Sequence, residues 1–215
     1  MPGLRRPSLG AAIGASVVTA GWLMGLRPLA DNSFFTHLAT GRVILDTGSV
    51  PSADAYTFTA DGEPWVVQSW LASWLYGTVE ALSGAAGLRV LVGLVMAGLV
   101  ALAWRLTRDA ASLLGRLALV GVFIGAGASL WGERPFMFGL LGLACVMLAA
   151  EGVLDPRFLV PIAWCWVNLH GSFPLGVAYL IVVAVGRHLD RGDGGLERAA
   201  LSWFVPGILL GAIGP

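Results

Sequence analysis

Three observations predict an all-α protein that crosses a membrane several times. Apolar residues make up 57% of the 215-residue chain and charged residues only 12%, against roughly 25% charge in a soluble domain. Apolar runs approaching the ~30 Å of a bilayer core recur along it, at about 1.5 Å of helix per residue. Arginines gather between alternate runs, the bias that orients membrane helices.

The first run covers 9–29 behind Arg5 and Arg6. It has the outline of a signal peptide, but no small-x-small cleavage site follows, so an uncleaved first span is expected. Further spans are expected at 85–104, 117–132 and 135–150. A last run starts near Leu201 and reaches Pro215 after about 15 residues, too few to cross. The chain therefore reads as an N-terminal portion of a longer protein, organised as one transmembrane domain over 1–215.

Arg5, Arg6, Arg105, Arg108 and Arg116 mark one side, taken as cytoplasmic together with the N-terminus. The polar stretch 31–84 then lies outside, as does the Glu133-Arg134-Pro135 turn. The segment 158–186 can be drawn two ways. One helix would be about 43 Å long and would put Arg187, Arg191 and Arg198 outside. A hairpin broken near Asn168-Leu169-His170-Gly171 keeps them inside, and is preferred.

The 31–84 stretch holds two expected amphipathic helices on the outer membrane surface. Residues 33–46 carry Phe34, Leu38, Val43, Ile44 and Leu45 near helical spacing, with Ser33 as N-cap. Residues 47–64 carry turn signals: Thr-Gly-Ser, Val-Pro, Asp-Gly and Glu-Pro. Residues 65–82 are again helical, with Trp65, Trp70 and Trp74 as interfacial anchors. Surface anchoring alone is one complete account of this stretch.

The ordered motifs suggest a second account. An Asp follows the first span directly, then an aromatic pair, His37-Leu38-Ala39-Thr40-Gly41, a Gly-x-x-Pro turn, Tyr56-Thr57-Phe58-Thr59, and Pro64-Trp65 before a Trp-rich helix. Arg134-Pro135-Phe136-Met137-Phe138 and Trp166-Val167-Asn168-Leu169-His170-Gly171-Ser172-Phe173 come later. Together these resemble a large group of bacterial inner-membrane proteins related to the GT-C glycosyltransferases, which use polyprenyl-phosphate sugars. The resemblance spans most of the chain. It implies a GT-C-like helical fold and transfer of a sugar from a polyprenyl-phosphate donor to an extracytoplasmic acceptor. It also implies a catalytic role for Asp31, the acidic residue after the first helix, as base toward the acceptor hydroxyl; the bland alternative for Asp31 is a juxtamembrane charge or a cap for the helix that starts at Ser33. Two positions depart from the family pattern: Ser33 stands where a second acidic residue is usual, and Gln68-Ser69 where a His-Glu pair often precedes the Trp.

The remaining candidates are substrate-binding. His37 lies about two helical turns from Asp31. Arg134 is a permanent cation suited to a lipid phosphate; its bland alternative is a charge arrangement with Glu133. Asn168 and His170 are polar groups at membrane depth, where such groups usually face a cavity; their alternative role is to bond a helix break that Gly171 permits. Arg89 is expected to snorkel, and Arg42 to pair with Asp46 at i, i+4.

Other classes find little support. The formal net charge is +0 and all 13 basic residues are Arg, so neither a nucleic-acid surface nor lysine chemistry is expected. Cys145 and Cys165 sit in apolar runs and read as buried thiols. No Cys/His metal spacing, nucleophile elbow or phosphate loop appears, so no cofactor is named, and a divalent metal finds no support in the sequence without being ruled out by it. The expected partners are the bilayer, the polyprenyl-phosphate-sugar donor and an extracytoplasmic acceptor. A non-catalytic scaffold or lipid-carrier-binding subunit of the same fold is the first rival reading. A small-molecule transporter is the second, although no inverted repeat supports it.

Overall fold

The computed structural model describes residues 8–214, so Arg5, Arg6 and Pro215 lie outside the described residues. These fold into eight α-helices: α1 (Leu9–Gly25), α2 (Asn32–Thr47), α3 (Trp70–Leu106), α4 (Leu113–Gly127), α5 (Phe136–Ala150), α6 (Leu159–Leu169), α7 (Pro174–Leu189) and α8 (Gly195–Ala212). A 3₁₀ turn at Pro156–Phe158 precedes α6. The extended structure among the described residues is a single bridge, Ala53 to Pro64.

Helix α3 organises the molecule. It bends at Gly84, whose φ of 63° and ψ of −161° suit glycine alone. The polar stretch therefore ends where it was expected to, and residues 85–106 form a straight apolar limb about 33 Å long. Helix α1 packs antiparallel along this limb: Gly14 meets Trp104, Gly21 meets Val100, and Gly25 meets Gly93. Those three glycines are the fully buried residues of α1, while Leu9 and Leu23 are exposed. The glycine face lets the backbones approach, while Val17, Val18 and Met24 pack beside it and Leu9 and Leu23 remain exposed.

Helix α2 crosses the first limb of α3 just as closely. A Cβ on Gly41 would lie 1.9 Å from the Ser73 carbonyl oxygen, and one on Gly77 would lie 2.6 Å from the Gly41 carbonyl carbon. Phe34, Leu38, Ala72, Tyr76 and Leu88 form the core of this pair. Several local expectations change here. The N-cap of α2 is Asp31, the bland alternative for that residue, and Ser33, the other candidate, lies inside the helix. Helix α3 begins at Trp70, because Trp65 belongs to the turn structure closed by the Ala53–Pro64 bridge. Arg42 reaches across to both carboxylate oxygens of Glu80 instead of pairing with Asp46. Arg89 donates to the Leu26 carbonyl and so closes the C-terminus of α1.

The second half packs α5, α6, α7 and α8 around Trp166, Leu180 and Phe204. The segment 158–186 is two helices, with His170 extended between them (φ −162°, ψ 140°). Their directions follow from contacts to α8. Gly207 meets Val160 and Gly211 meets Val167, so α8 runs parallel to α6. Gly176 meets Phe204, and Arg187 pairs with Glu197, so α8 runs antiparallel to α7. The chain thus reverses at 170–173, and α8 packs against both arms. Glu197 is fully buried in the first turn of α8, and Arg187, in the last turn of α7, reaches both it and Glu151. Helix α8 starts well before Leu201, the expected onset of the last run.

These registers sort the connections. The start of α1, the α3–α4 and α5–α6 connections and the α7–α8 loop share one end of the bundle. The α1–α2 junction, the stretch before α3, the α4–α5 turn and the 170–173 break share the other. Among the described residues one helix, α3, is long and apolar enough to cross a membrane, with a mean hydropathy of 2.2 in its most apolar window. Helices α1, α4, α5 and α7 are apolar but shorter, at 10–17 residues.

Candidate functional site

Four of the five candidate residues line one open cavity of about 1020 Å³: Asp31, His37, Arg134 and His170. Its volume is at the upper end of ordinary small-molecule sites. Helix α2 supplies a polar stripe, Ser33, Thr36, His37 and Thr40, at i, i+3, i+4, i+7. The neighbouring stripe, Phe34–Leu38–Gly41, packs on α3, so one helix both anchors and furnishes the site. The residues just before α3 form one wall, with Trp65 among them. The α4–α5 turn forms another, with Trp131 and Glu133.

The α4–α5 turn is fastened to the α1–α2 junction by a reciprocal clamp. Glu133 Oε1 accepts from the backbone N–H groups of Ala30 and Asp31, at 2.5 and 2.7 Å. Arg134 Nε donates to Asp31 Oδ2 at 2.5 Å. Tyr76, buried between α2 and α3, donates its hydroxyl to the Glu133 carbonyl at 2.8 Å. Glu133 and Arg134 therefore bond outward to another element instead of to each other.

The Asp31 carboxylate is heavily engaged. Its Oδ1 accepts from Ser33 N, Ser33 Oγ and Phe34 N at 2.9, 2.6 and 3.2 Å. Burial raises its pKa, but the bonds from Ser33, Arg134 and Phe34 outweigh burial, and the group sits below the usual carboxylate value. In this arrangement Asp31 is a held anion and a weak proton acceptor. Among the described residues neither Nη group of Arg134 has a hydrogen bond to a carboxylate, and its side chain is 60% exposed.

The two imidazoles are held differently. His37 Nδ1 lies 3.1 Å from the buried Ser73 hydroxyl on α3. Burial lowers its pKa, and the neighbouring His170 lowers it further, against a smaller upward pull from Asp31. His37 is therefore neutral at pH 7. His170 Nδ1 lies 2.8 Å from Ser172 Oγ and accepts from Ser172 N at 3.2 Å. Its ring stands edge-on to Phe136, with centroids 5.6 Å apart.

Asn168, expected to bind substrate, does not line the cavity. It is buried, accepts from Trp70 Nε1 at 2.7 Å, and donates to the carbonyls of Trp164 and Gly211 at 2.8 and 3.4 Å. Its amide ties α3, α6 and α8 together, which satisfies a polar side chain in an apolar interior. Gly171, expected to permit the break by its backbone freedom, instead makes room: a Cβ there would lie 2.3 Å from Gln68 Nε2. The residues that sequence reasoning missed are Glu133, Tyr76 and Ser172. Each acts through a partner distant in sequence or through a turn, so no local periodicity pointed to it.

Among the described residues no group of three or more His, Cys, Asp or Glu side chains is disposed to hold a metal ion. The arrangement offers an exposed guanidinium, a half-buried imidazole and a second imidazole at the break, on tryptophan-bearing walls. No family model, curated protein or solved structure matches the chain.

Proposed function

We propose that the chain is a multi-pass protein of a bacterial inner membrane. In this reading its cavity receives a polyprenyl-phosphate sugar and passes the sugar to an extracytoplasmic acceptor, in the manner of the GT-C enzymes. The observation that carries the reading is the convergence of Asp31, His37, Arg134 and His170 on one large cavity at one end of an apolar helix bundle.

Membrane residence is supported by α1, whose closest packing is through glycines while the large apolar Leu9 and Leu23 are exposed. Helix α4 behaves similarly: Val120 is its one buried residue, while Leu114, Leu119 and Val122 are exposed. A helix apolar all round needs an apolar surrounding. The up-and-down order of α1, the second limb of α3, α4, α5, α6 and α7 suits a bundle in a bilayer. Arg105, Arg108, Arg116, Arg157, Arg187, Arg191 and Arg198 all fall at the end remote from the cavity, which the Arg bias makes cytoplasmic. The cavity then faces outward, where an extracytoplasmic acceptor and a lipid-borne donor can meet.

In the proposed reaction Arg134 pairs with the donor phosphate. Asp31 takes the acceptor hydroxyl proton as that oxygen attacks the anomeric carbon and the polyprenyl phosphate departs. Because Asp31 and Arg134 are paired in the free protein, the phosphate must draw the guanidinium toward itself before the carboxylate can act. That engagement also favours a second reading: a lipid-phosphate-binding subunit without chemistry, in which Asp31 only caps α2 and holds Arg134.

The test is sugar transfer from a synthetic polyprenyl-phosphate sugar in detergent, with lipid binding measured on the same preparations. Asp31→Asn should lose transfer by about 10²–10⁴-fold while retaining lipid binding. Arg134→Ala should chiefly weaken binding. Full activity in Asp31→Asn removes the base assignment. Lipid binding without transfer by the unmutated protein selects the second reading.

A further inference from the structure

His170 stands in a chain of hydrogen bonds whose direction is determined at its far end. Trp166 Nε1–H can only donate, and it donates to Ser172 Oγ at 3.0 Å. The Ser172 hydroxyl hydrogen is thereby free to point at His170 Nδ1, 2.8 Å away. The Ser172 backbone N–H, also an obligatory donor, is directed at the same nitrogen at 3.2 Å. Nδ1 is thus met by two donors and must offer its lone pair. In the neutral ring the proton then resides on Nε2.

The relay has a built seat. Gly139 of α5 lies directly beneath it: a Cβ there would come within 2.3 Å of Ser172 Oγ, 3.1 Å of Trp166 Nε1 and 3.4 Å of His170 Nδ1. The neighbouring Gly142 opens the same face to the Trp166 ring, where a Cβ would lie 2.5 Å from it. Two glycines on α5 thus make room for the tryptophan, the serine and the imidazole. Trp166 is fully buried, so the donor that starts the chain is held in place. Nε2 has no partner among the described residues, and His170 lines the cavity together with Arg134.

We infer that His170 is a tautomer-locked hydrogen-bond donor, and that its Nε2–H together with the Arg134 Nη groups binds the oxygens of a phosphate group in the cavity. This rests on the reading of the cavity as a phosphate-lipid site and names which atoms recognise the phosphate. A phosphate oxygen fits both donors because it accepts from several N–H groups at once and carries the charge that suits Arg134. The carboxylates of the cavity are already engaged, Asp31 by its cap and Arg134, Glu133 by two backbone N–H groups. The lock makes His170 a positioning and binding group and withholds it from general-base work through Nε2.

The experiment uses the full chain in detergent with ¹⁵N-labelled histidine. The chain has three histidines, and the His170 signals are identified by their loss in His170→Gln. Long-range ¹H–¹⁵N spectra should show His170 protonated on Nε2 and bare on Nδ1, and Gly139→Ala should scramble that pattern by displacing Ser172. Farnesyl phosphate, inorganic phosphate and farnesol are then titrated against wild type, His170→Asn and His170→Gln. Glutamine places an N–H near the Nε2 position, and asparagine places one near Nδ1. Farnesyl phosphate affinity should fall about tenfold or more in His170→Asn and recover in His170→Gln, with farnesol indifferent to both. Equal binding of inorganic phosphate keeps the donor pair and removes the lipid as its source. A His170 ring protonated on Nδ1, or a glutamine variant no better than asparagine, overturns the inference while leaving the cavity reading standing. No binding of either phosphate probe by the unmutated protein overturns both.

Discussion

Arg134 donates to the carboxylate of Asp31 across 103 residues of sequence, at 2.5 Å. That contact links the α4–α5 turn to the N-cap of α2, so Asp31 serves two elements at once. The two duties separate by mutation. Asparagine caps a helix about as well as aspartate. Asp31→Asn should therefore lower the unfolding midpoint only slightly, by the worth of one partly exposed bridge, under about 1 kcal/mol. Asp31→Ala loses the cap as well, costing a further ~1 kcal/mol. Thermal unfolding in one detergent compares them, and equal midpoints for the two variants would show that the cap contributes nothing.

The same carboxylate sets a pH dependence with a definite sign. Its pKa in the folded protein lies below the ordinary 3.8, since the hydrogen bonds outweigh burial. The unfolded chain then binds the proton more tightly, so stability rises with pH across that interval. The contribution is fully present above about pH 3.8 and fades as pH falls through the lower folded value. The midpoint difference between wild type and Asp31→Asn should shrink below pH 4 and be constant from pH 5 to 7. A difference that grows on acidification would reverse the sign.

The proposed membrane orientation is tested by cysteine labelling in a background from which Cys145 and Cys165 have been removed. A membrane-impermeant maleimide added outside should reach Ser52→Cys and miss Ala110→Cys and Gly194→Cys. Gly194 falls with Ala110 at the end remote from the cavity because α6 and α7 run in opposite directions. Labelling of Gly194→Cys without Ala110→Cys would mean that the 170–173 reversal does not return the chain.

The α2–α3 crossing should tolerate no side chain at Gly41. A Cβ there falls 1.9 Å from the Ser73 carbonyl oxygen, which is backbone and cannot rotate away. Gly41→Val should force the helices apart and destabilise by about 1–3 kcal/mol or more. Ser73 moves with that backbone, so His37 should lose its partner and phosphate-lipid binding should weaken. Gly125→Ala is the control: it lies in α4 with open space around its Cβ and should leave both stability and binding near wild type.

Asn168 should matter for folding and not for ligand. Asn168→Ala leaves the Trp70 indole N–H unpaired in the interior, at a cost of about 1–3 kcal/mol. Affinity for a polyprenyl phosphate, measured per folded molecule, should stay unchanged. A large loss of affinity at constant folded fraction would return Asn168 to the binding site.

By itself the sequence determined what local chemistry controls. Apolar runs and their breaks located the helices, because helix formation there depends on composition over one segment. The apolar run that begins at residue 85 ended the polar stretch where the structure bends α3, at Gly84. The helical spacing of Phe34, Leu38 and Ile44 marked the packed face of α2, although Val43 and Leu45, read with them, are exposed, and the nomination of Asp31, His37, Arg134 and His170 needed only their polarity and place. Tertiary structure decided what each polar group does. Asp31 caps α2 by local bonds to Ser33 and Phe34, but its second duty, as partner of Arg134 beside the Glu133 clamp, comes from a turn 102 residues away. Arg42 chose Glu80 over its helical neighbour Asp46 because the Gly41–Gly77 crossing brought α3 within reach. Asn168 and His170, two residues apart, parted into a tie and a cavity group because α6 ends between them and turns one inward to α3 and α8 and the other to the cavity. A hydrogen bond is directional and short, so its partner is determined by which backbones meet, and the meeting of backbones is a property of the packed helices alone.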